Sequence, residues 1–211
     1  LKSVTKFFEL PAMPNGKLML LRAATTSSKK PKPDTQAMRL GARVKKVFID
    51  REWVRAYNAV CGFKDTEIAL TAPQVIAGSL HMYLLSCKEH PMPMLGMVHL
   101  HNSIEQIHAL EFGVPYDVLV TLGDTRAIPQ GLEFDVHTEF YKDDVVQWKS
   151  TMSILCRVKG MPKPATKPAA PQGLQAAGAA YIPVRVPENQ GRAYAKVSND
   201  YKDRKSTRLN S

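Results

Sequence analysis

With 211 residues, 44% of them hydrophobic and 23% charged, the chain has the composition of a folded globular protein and not of a disordered one. Its formal net charge of +10 collects in loop-like stretches, Lys29-Lys30-Pro31-Lys32, Lys159 to Lys167 and the last ten residues, which argues against nucleic acid as a partner and is compatible with an anionic, phosphate-bearing ligand. The longest apolar stretch, Val75 to Leu85, contains Gly78, Ser79 and His81 and falls short of the ~20 residues of a membrane span, so no membrane partner is expected.

The chain opens at Leu1 without a methionine, and Lys2, Lys6 and Glu9 break up the apolar residues there. This reads against a signal peptide and for a missing upstream piece. Residues 1–44 are read as an N-terminal strand and loop region. The three cysteines, Cys61, Cys87 and Cys156, stand far apart without CxxC spacing. They argue against a zinc site or a disulfide framework and for reduced thiols in a cytoplasmic protein.

Two helices come next. Asp50 is placed to cap one that carries Trp53, Tyr57, Val60 and Cys61 on one side, and Gly62 to stop it. The other begins after Pro73. Its run, Gln74 to Cys87, is apolar nearly all round, so it is expected to be buried and wrapped by a sheet.

That sheet is written in the next sixty or so residues as a period of two. Leu132, Phe134, Val136, Thr138 and Phe140 alternate with Glu133, Asp135, His137, Glu139 and Tyr141. After the polar turn Lys142-Asp143-Asp144 the alternation resumes with Val146, Trp148, Ser150, Met152, Ile154 and Cys156. Strands over Tyr116 to Thr125 and Gly96 to Ile107 are expected to extend the same antiparallel meander. A curled antiparallel sheet around one central helix is an α+β architecture, the hot dog.

His81, His90, His99, His101, His108 and His137 invite a metal reading, above all His99-x-His101, whose side chains share one face of a regular strand. No acidic partner or third ligand stands at a fixed spacing to them, so the metal reading is the weaker one. Residues 159–180, rich in Pro, Ala, Lys and Gly, read as a linker. Beyond it, Tyr181 to Val186 is strand-like and Glu188 to Asn199 helix-like.

Arg55-Ala56-Tyr57-x-x-Val60 recurs 137 residues later as Arg192-Ala193-Tyr194-x-x-Val197. One short match is open to coincidence, but its position on either side of a linker favours duplication. In this register Asp200 falls opposite Phe63, so the first copy has no carboxylate at that point.

The stretch from Gly191 to Tyr201 resembles the opening of the MaoC-like hydratase motif, in which such a helix leads into Asp-x-Asn-Pro-x-His. Thr71 to Leu85 together with Leu95 to Asn102 resembles the N-terminal hot dog of two-domain members. The resemblance implies an N-terminal hot dog over 45–158 and the start of a truncated second one over 181–201. It also implies a hydro-lyase, acting as enoyl-CoA hydratase or 3-hydroxyacyl dehydratase on an acyl-CoA or acyl-carrier thioester, without a cofactor. In such enzymes Asp and His orient and deprotonate a water that adds across a 2-enoyl thioester, and a backbone N–H near the start of the central helix stabilises the enolate oxygen. By resemblance Asp200 is the catalytic aspartate. The partner histidine belongs at position 205, where this chain has Lys205, which is protonated at its ordinary pKa and cannot serve as the base. The chain is therefore expected to be inactive as it stands. On this reading His81, Met92, Met94 and Met97 are either acyl-tunnel or core residues, with plain core filling favoured for the methionines.

Residues 203–211 read codon by codon as GAT CGG AAG AGC ACA CGT CTG AAC TCC, a string that resembles a common short-read sequencing adapter. Residues 202–211 are accordingly expected to be a non-native tail rather than a natural basic one. Without Arg204, Lys205 and Arg208 against Asp203 the rest carries +8, and nucleic acid loses its best patch. A homodimer of the intact parent stays open. The competing class is a non-catalytic acyl-CoA or acyl-carrier binding module.

Overall fold

The computed structural model describes residues 4–161 and 185–198. Three long strands, β4 (Pro115–Ile128), β5 (Gly131–Lys142) and β6 (Val145–Arg157), form its centre. In β5 the residues of one alternating set, Leu132 to Phe140, are buried, and those of the other, Glu133 to Tyr141, are half-buried. Asp143 and Asp144 make the two-residue turn between β5 and β6 with φ of 49° and 61°. Such left-handed turn residues match the twist of the strands they join, and a short polar side chain tolerates the conformation.

Two shorter strands add to one side of this centre. β2 (Leu40–Phe48) pairs antiparallel with β4, and β1 (Lys6–Leu10) pairs parallel with β2 through a crossover that contains the helix α1 (Gly16–Ala24). The sheet therefore begins at Lys6, and the boundary expected at residue 45 falls inside β2. On the other side stands β3 (Val98–Gln106), paired with β6, which gives the order β1-β2-β4-β5-β6-β3. This corrects the expected meander, in which β3 lay beside β4. Both edges of β4 are taken, by β2 and β5, so the strand after the central helix occupies the far edge. Residues 107–114 then cross about 14 Å, three inter-strand spacings, which eight extended residues easily span.

Helix α2 (Arg51–Cys61) is bounded as its sequence predicts. The Asp50 side chain accepts from the N–H groups of Glu52 and Trp53 at 2.8 and 3.2 Å, and Gly62 ends the helix at φ 75°. The central helix differs from expectation. It is split at Ala77 into α3 (Ala72–Ile76) and α4 (Gly78–Leu85), and it ends two residues short of Cys87. Nor is it wrapped all round: Leu80, His81, Leu84 and Leu85 are buried against the sheet, but Val75, Ile76, Ser79 and Met82 are only half-buried.

The core lies between α4 and the inner face of the sheet. Trp148, wholly buried, packs edge-to-face on Phe140 with ring centroids 5.5 Å apart and donates its indole N–H to the Leu70 carbonyl at 2.9 Å. Burial of each such large side chain contributes roughly 1.5–3 kcal/mol.

The final described element, α5 (Gln190–Ser198), docks on α2. Trp53 donates its indole N–H to the Val197 carbonyl at 2.8 Å, and Gln190 donates its side-chain N–H to the Val60 carbonyl. The repeat offset of 137 carries position 53 to 190 and position 60 to 197, so the two bonds are reciprocal. Each helix start grips the end of the other, as across a local two-fold axis, with Tyr57 and Tyr194 facing each other between them at 6.3 Å. Of the expected strand 181–186, residues 181–184 lie outside the described residues, as do most of the linker and the whole of 199–211.

Candidate functional site

The half-buried flank of the central helix opens into a cleft of about 330 Å³. Val75, Ile76, Ser79 and Met82 form its floor. Met13, Pro14 and Gly16 wall it from the β1–α1 turn, Val47 and Phe48 from the end of β2, Trp53 from α2, and Val197 and Ser198 from the end of α5. Val75 packs in the cluster that holds Tyr57, Tyr194 and Val197, whereas Met13, Ile76 and Met82 pack with the main core. From Val75 to Met82 the central helix runs seven residues, about 10 Å along a helix. Its side chains are mostly apolar, which suits an extended hydrocarbon chain, and Asp50, Ser79 and Ser198 line it as well.

Asp200, the expected catalytic residue, and Lys205 lie outside the described residues. What the structure places is Ser198, two positions before Asp200, at the rim of this cleft. The opposite member of the repeat, Phe63, is exposed at the end of α2 and stacks against Tyr57 at 6.4 Å. Tyr57 bonds to the Thr71 hydroxyl at 2.8 Å, and burial pushes its pKa up to about 12, so it stays protonated.

The histidines are not brought together. His81 is buried against the sheet, bonds to the Thr138 hydroxyl at 2.8 Å and is held neutral by burial, with its pKa lowered to about 4. It is a core residue and does not line the cleft. His90 is buried against Phe134, its pKa lowered to about 3 by burial, and its ring nitrogens find no partner among the described residues. His99 and His101 do not share a face. A bulge at Leu100 sets His99 opposite Ile154 but His101 opposite Ser153, adjacent residues on opposite sides of β6. His108 is exposed, and His137 bonds to Thr151 on the outer face. Among the described residues no group of three metal-binding side chains forms. Met92 and Met94 are core residues, 0% and 5% exposed. All three cysteines are free, and burial raises the thiol pKa of Cys87 and Cys156.

A second, larger hollow of about 540 Å³ lies on the outer face of the sheet. Charged side chains line it, and its cations are paired. Arg126 bonds to Asp135 at 2.6 Å and to Glu133 at 2.8 Å, Arg39 to Asp124 at 2.5 Å, and Lys149 to Glu105 at 2.9 Å. The Arg126 guanidinium holds the Asp135 carboxyl below its usual range, helped by the Ser153 hydroxyl, which donates to it. Its three cations are thus paired, while Glu139, also in its lining, accepts from the Tyr141 hydroxyl at 2.7 Å.

An open, curled six-stranded sheet packed on a central helix is the hot-dog fold. Among solved structures the chain is similar to HtdX of Mycobacterium tuberculosis. One crystal structure of it gives a TM-score of 0.62 at 24% identity over 77% of this chain and 62% of that one. Another gives 0.60 at 25% identity over 75% and 63%. A MaoC-like dehydratase from Phytophthora capsici gives a TM-score of 0.53 at 15% identity, covering 77% of this chain and 62% of that one. The chain has the hot-dog fold of the MaoC-like dehydratases. It spans less than two thirds of the length of these structures. No family model matches the chain, and no curated protein matches it.

Proposed function

We propose that this chain is part of a MaoC-like hydro-lyase, which adds water reversibly to 2-enoyl thioesters. Residues 6–158 form a complete hot dog that cradles the acyl chain, and 181–201 begin a second one that carries Asp200. The observation behind this reading is the cleft itself: it lies along the central helix, is lined mostly by apolar side chains, and includes Val197 and Ser198 of α5, the last of them two residues before Asp200. The reciprocal bonds between α2 and α5 support the duplication.

In the forward reaction the oxygen of water bonds to C3 of the enoyl group and a proton goes to C2. Asp200 would orient that water, and the histidine that completes the pair is supplied by sequence this chain does not have. Residues 202–211 are, in this account, not part of the natural protein, and the 211-residue chain binds the thioester without turning it over. The alternative, a non-catalytic acyl-thioester binding module, draws on one observation, Lys205 where the base is required.

The parent gene separates the two. Codons after Tyr201 that read Asn-Pro-x-His, with crotonyl-CoA hydration by the parent that Asp200→Ala abolishes, establish the enzyme. Any other continuation, with acyl-CoA binding but no hydration, establishes the binding module. Turnover of crotonyl-CoA by the 211-residue chain, lost on Asp200→Ala, would contradict the inactivity proposed here.

A further inference from the structure

Helix α5 has nine residues, and none of them is fully buried. A helix of that length is marginal by itself, since isolated helices hold together only from about 12–15 residues upward. Its order therefore depends on docking. The indole bond from Trp53 to the Val197 carbonyl at 2.8 Å, the bond from the Gln190 side chain to the Val60 carbonyl and the contact of the Tyr57 and Tyr194 rings at 6.3 Å all hold it on α2. An element without a fully buried side chain belongs to the part of a protein that opens most readily.

The same helix walls the cleft. Val197 and Ser198, in its last turn, line the cleft and are half-buried. Trp53 lines it as well, and packs both against the main core and against the small cluster of Tyr57, Ala69 and Ala72. Val75 of the cleft floor, Tyr194 and Val197 pack against that small cluster too. A hydrocarbon chain lying on Val75 is thus beside the residues that hold α5. It covers apolar surface of the half-buried Val197, and it makes that contact only while α5 is docked. A ligand that gains contacts in one state alone shifts the equilibrium toward that state, and by linkage the state strengthens the ligand by the same factor.

We infer that filling the cleft and docking α5 strengthen each other, through Trp53, Val197 and Ser198, which belong to both. On the thioester reading above, on which this rests, seating the acyl chain also fixes the helix that ends two residues before Asp200.

The test is amide hydrogen exchange of the 211-residue chain with and without saturating octanoyl-CoA, together with calorimetric binding of octanoyl-CoA to wild type and to Gln190→Ala, each first shown to be folded by circular dichroism. Octanoyl-CoA slows exchange within 190–198 by about tenfold. Gln190 lies outside the cleft, so Gln190→Ala loses the bond to the Val60 carbonyl without touching the ligand. Its 190–198 amides exchange faster, and it binds octanoyl-CoA about threefold more weakly. Saturable binding that leaves exchange within 190–198 unaltered, or equal affinity of the two proteins, overturns the coupling and leaves the thioester reading standing. No binding of octanoyl-CoA to wild type overturns that reading, and the coupling with it.

Discussion

The two sides of the sheet carry hollows lined by different side chains. On the outer face about 540 Å³ is lined by the paired charges of Arg39, Arg126, Lys149, Asp124, Asp135 and Glu105, together with Glu139. On the inner side about 330 Å³ lies along apolar side chains of the central helix and is bounded by both copies of the repeat. Volume alone would choose the outer hollow. For an acyl chain the side chains favour the inner one, where half-buried Val75, Ile76 and Met82 offer apolar surface.

The contrast predicts that substitutions on the inner face cost much more than those on the outer face. Trp148→Ala removes a wholly buried indole that packs on Phe140 and bonds to the Leu70 carbonyl. Urea unfolding should show a loss of about 3–5 kcal/mol, and a loss no larger than that of an outer-face variant would remove the contrast. Gly131→Ala should be nearly as damaging. At φ 153° a Cβ there would stand 2.1 Å from the Cys156 carbonyl oxygen, so the start of β5 must move away from β6.

Acid sharpens the same comparison. His81 and His90 are neutral in the fold with pKa values of about 4 and about 3, against about 6.5 in the unfolded chain. Below pH ~6.5 the unfolded state takes up protons that the native state refuses. Stability is therefore full above that pH and falls through it, down to about 4 for His81 and about 3 for His90. The slope approaches about 1.4 kcal/mol per pH unit for each group. His90→Phe should flatten it by about half between pH ~6 and ~5, above the ordinary carboxylate range. An unchanged slope would mean that His90 is not the neutral buried group described. On the outer face the slope has the same sign, because the Asp135 carboxyl also takes up its proton more readily in the unfolded chain, but the window lies lower. The lowered pKa of Asp135 contributes stability above the ordinary carboxylate range, lost only at still lower pH. Asp135→Asn should cost about 1 kcal/mol or less, and less again in high salt.

The smallest expected effect concerns the grip between the repeats. Trp53→Phe keeps the ring but loses the bond to the Val197 carbonyl, worth about 0.5–1.5 kcal/mol. Amide exchange should quicken within 190–198 and leave β4 to β6 untouched. Equal acceleration in both would show that α5 and the sheet open as one unit.

How much of this was legible in sequence follows from where each signal resides. β5 and β6 were clear because one face of each is buried over many residues, and α2 because Asp50 and Gly62 mark both ends. β2 was missed. Its period of two is broken by a bulge between Val44 and Val47, where Lys46 adopts φ 56°, and Arg43, Lys45 and Lys46 dilute its apolar pattern. The placement of β3 was missed because pairing at an edge leaves no local trace. The alternation of Glu133, Asp135, His137 and Glu139 marks a half-buried strand, but nothing in it shows that Arg126, opposite Glu133, builds a paired network there. The cleft was invisible, since Met13, Phe48, Trp53, Val75 and Val197 come from five segments that only the fold assembles.

Trp53 offers the most direct test of the claim that the inner cleft holds the acyl part of a thioester. It is one of two tryptophans, it lines the cleft, and the other, Trp148, is wholly buried. Octanoyl-CoA titrated into the 211-residue chain should change the tryptophan emission saturably. The change should be absent in Trp53→Phe and absent when free coenzyme A replaces the thioester. No saturable change in wild type, or an equal change with coenzyme A alone, would contradict the assignment of the acyl chain to this cleft.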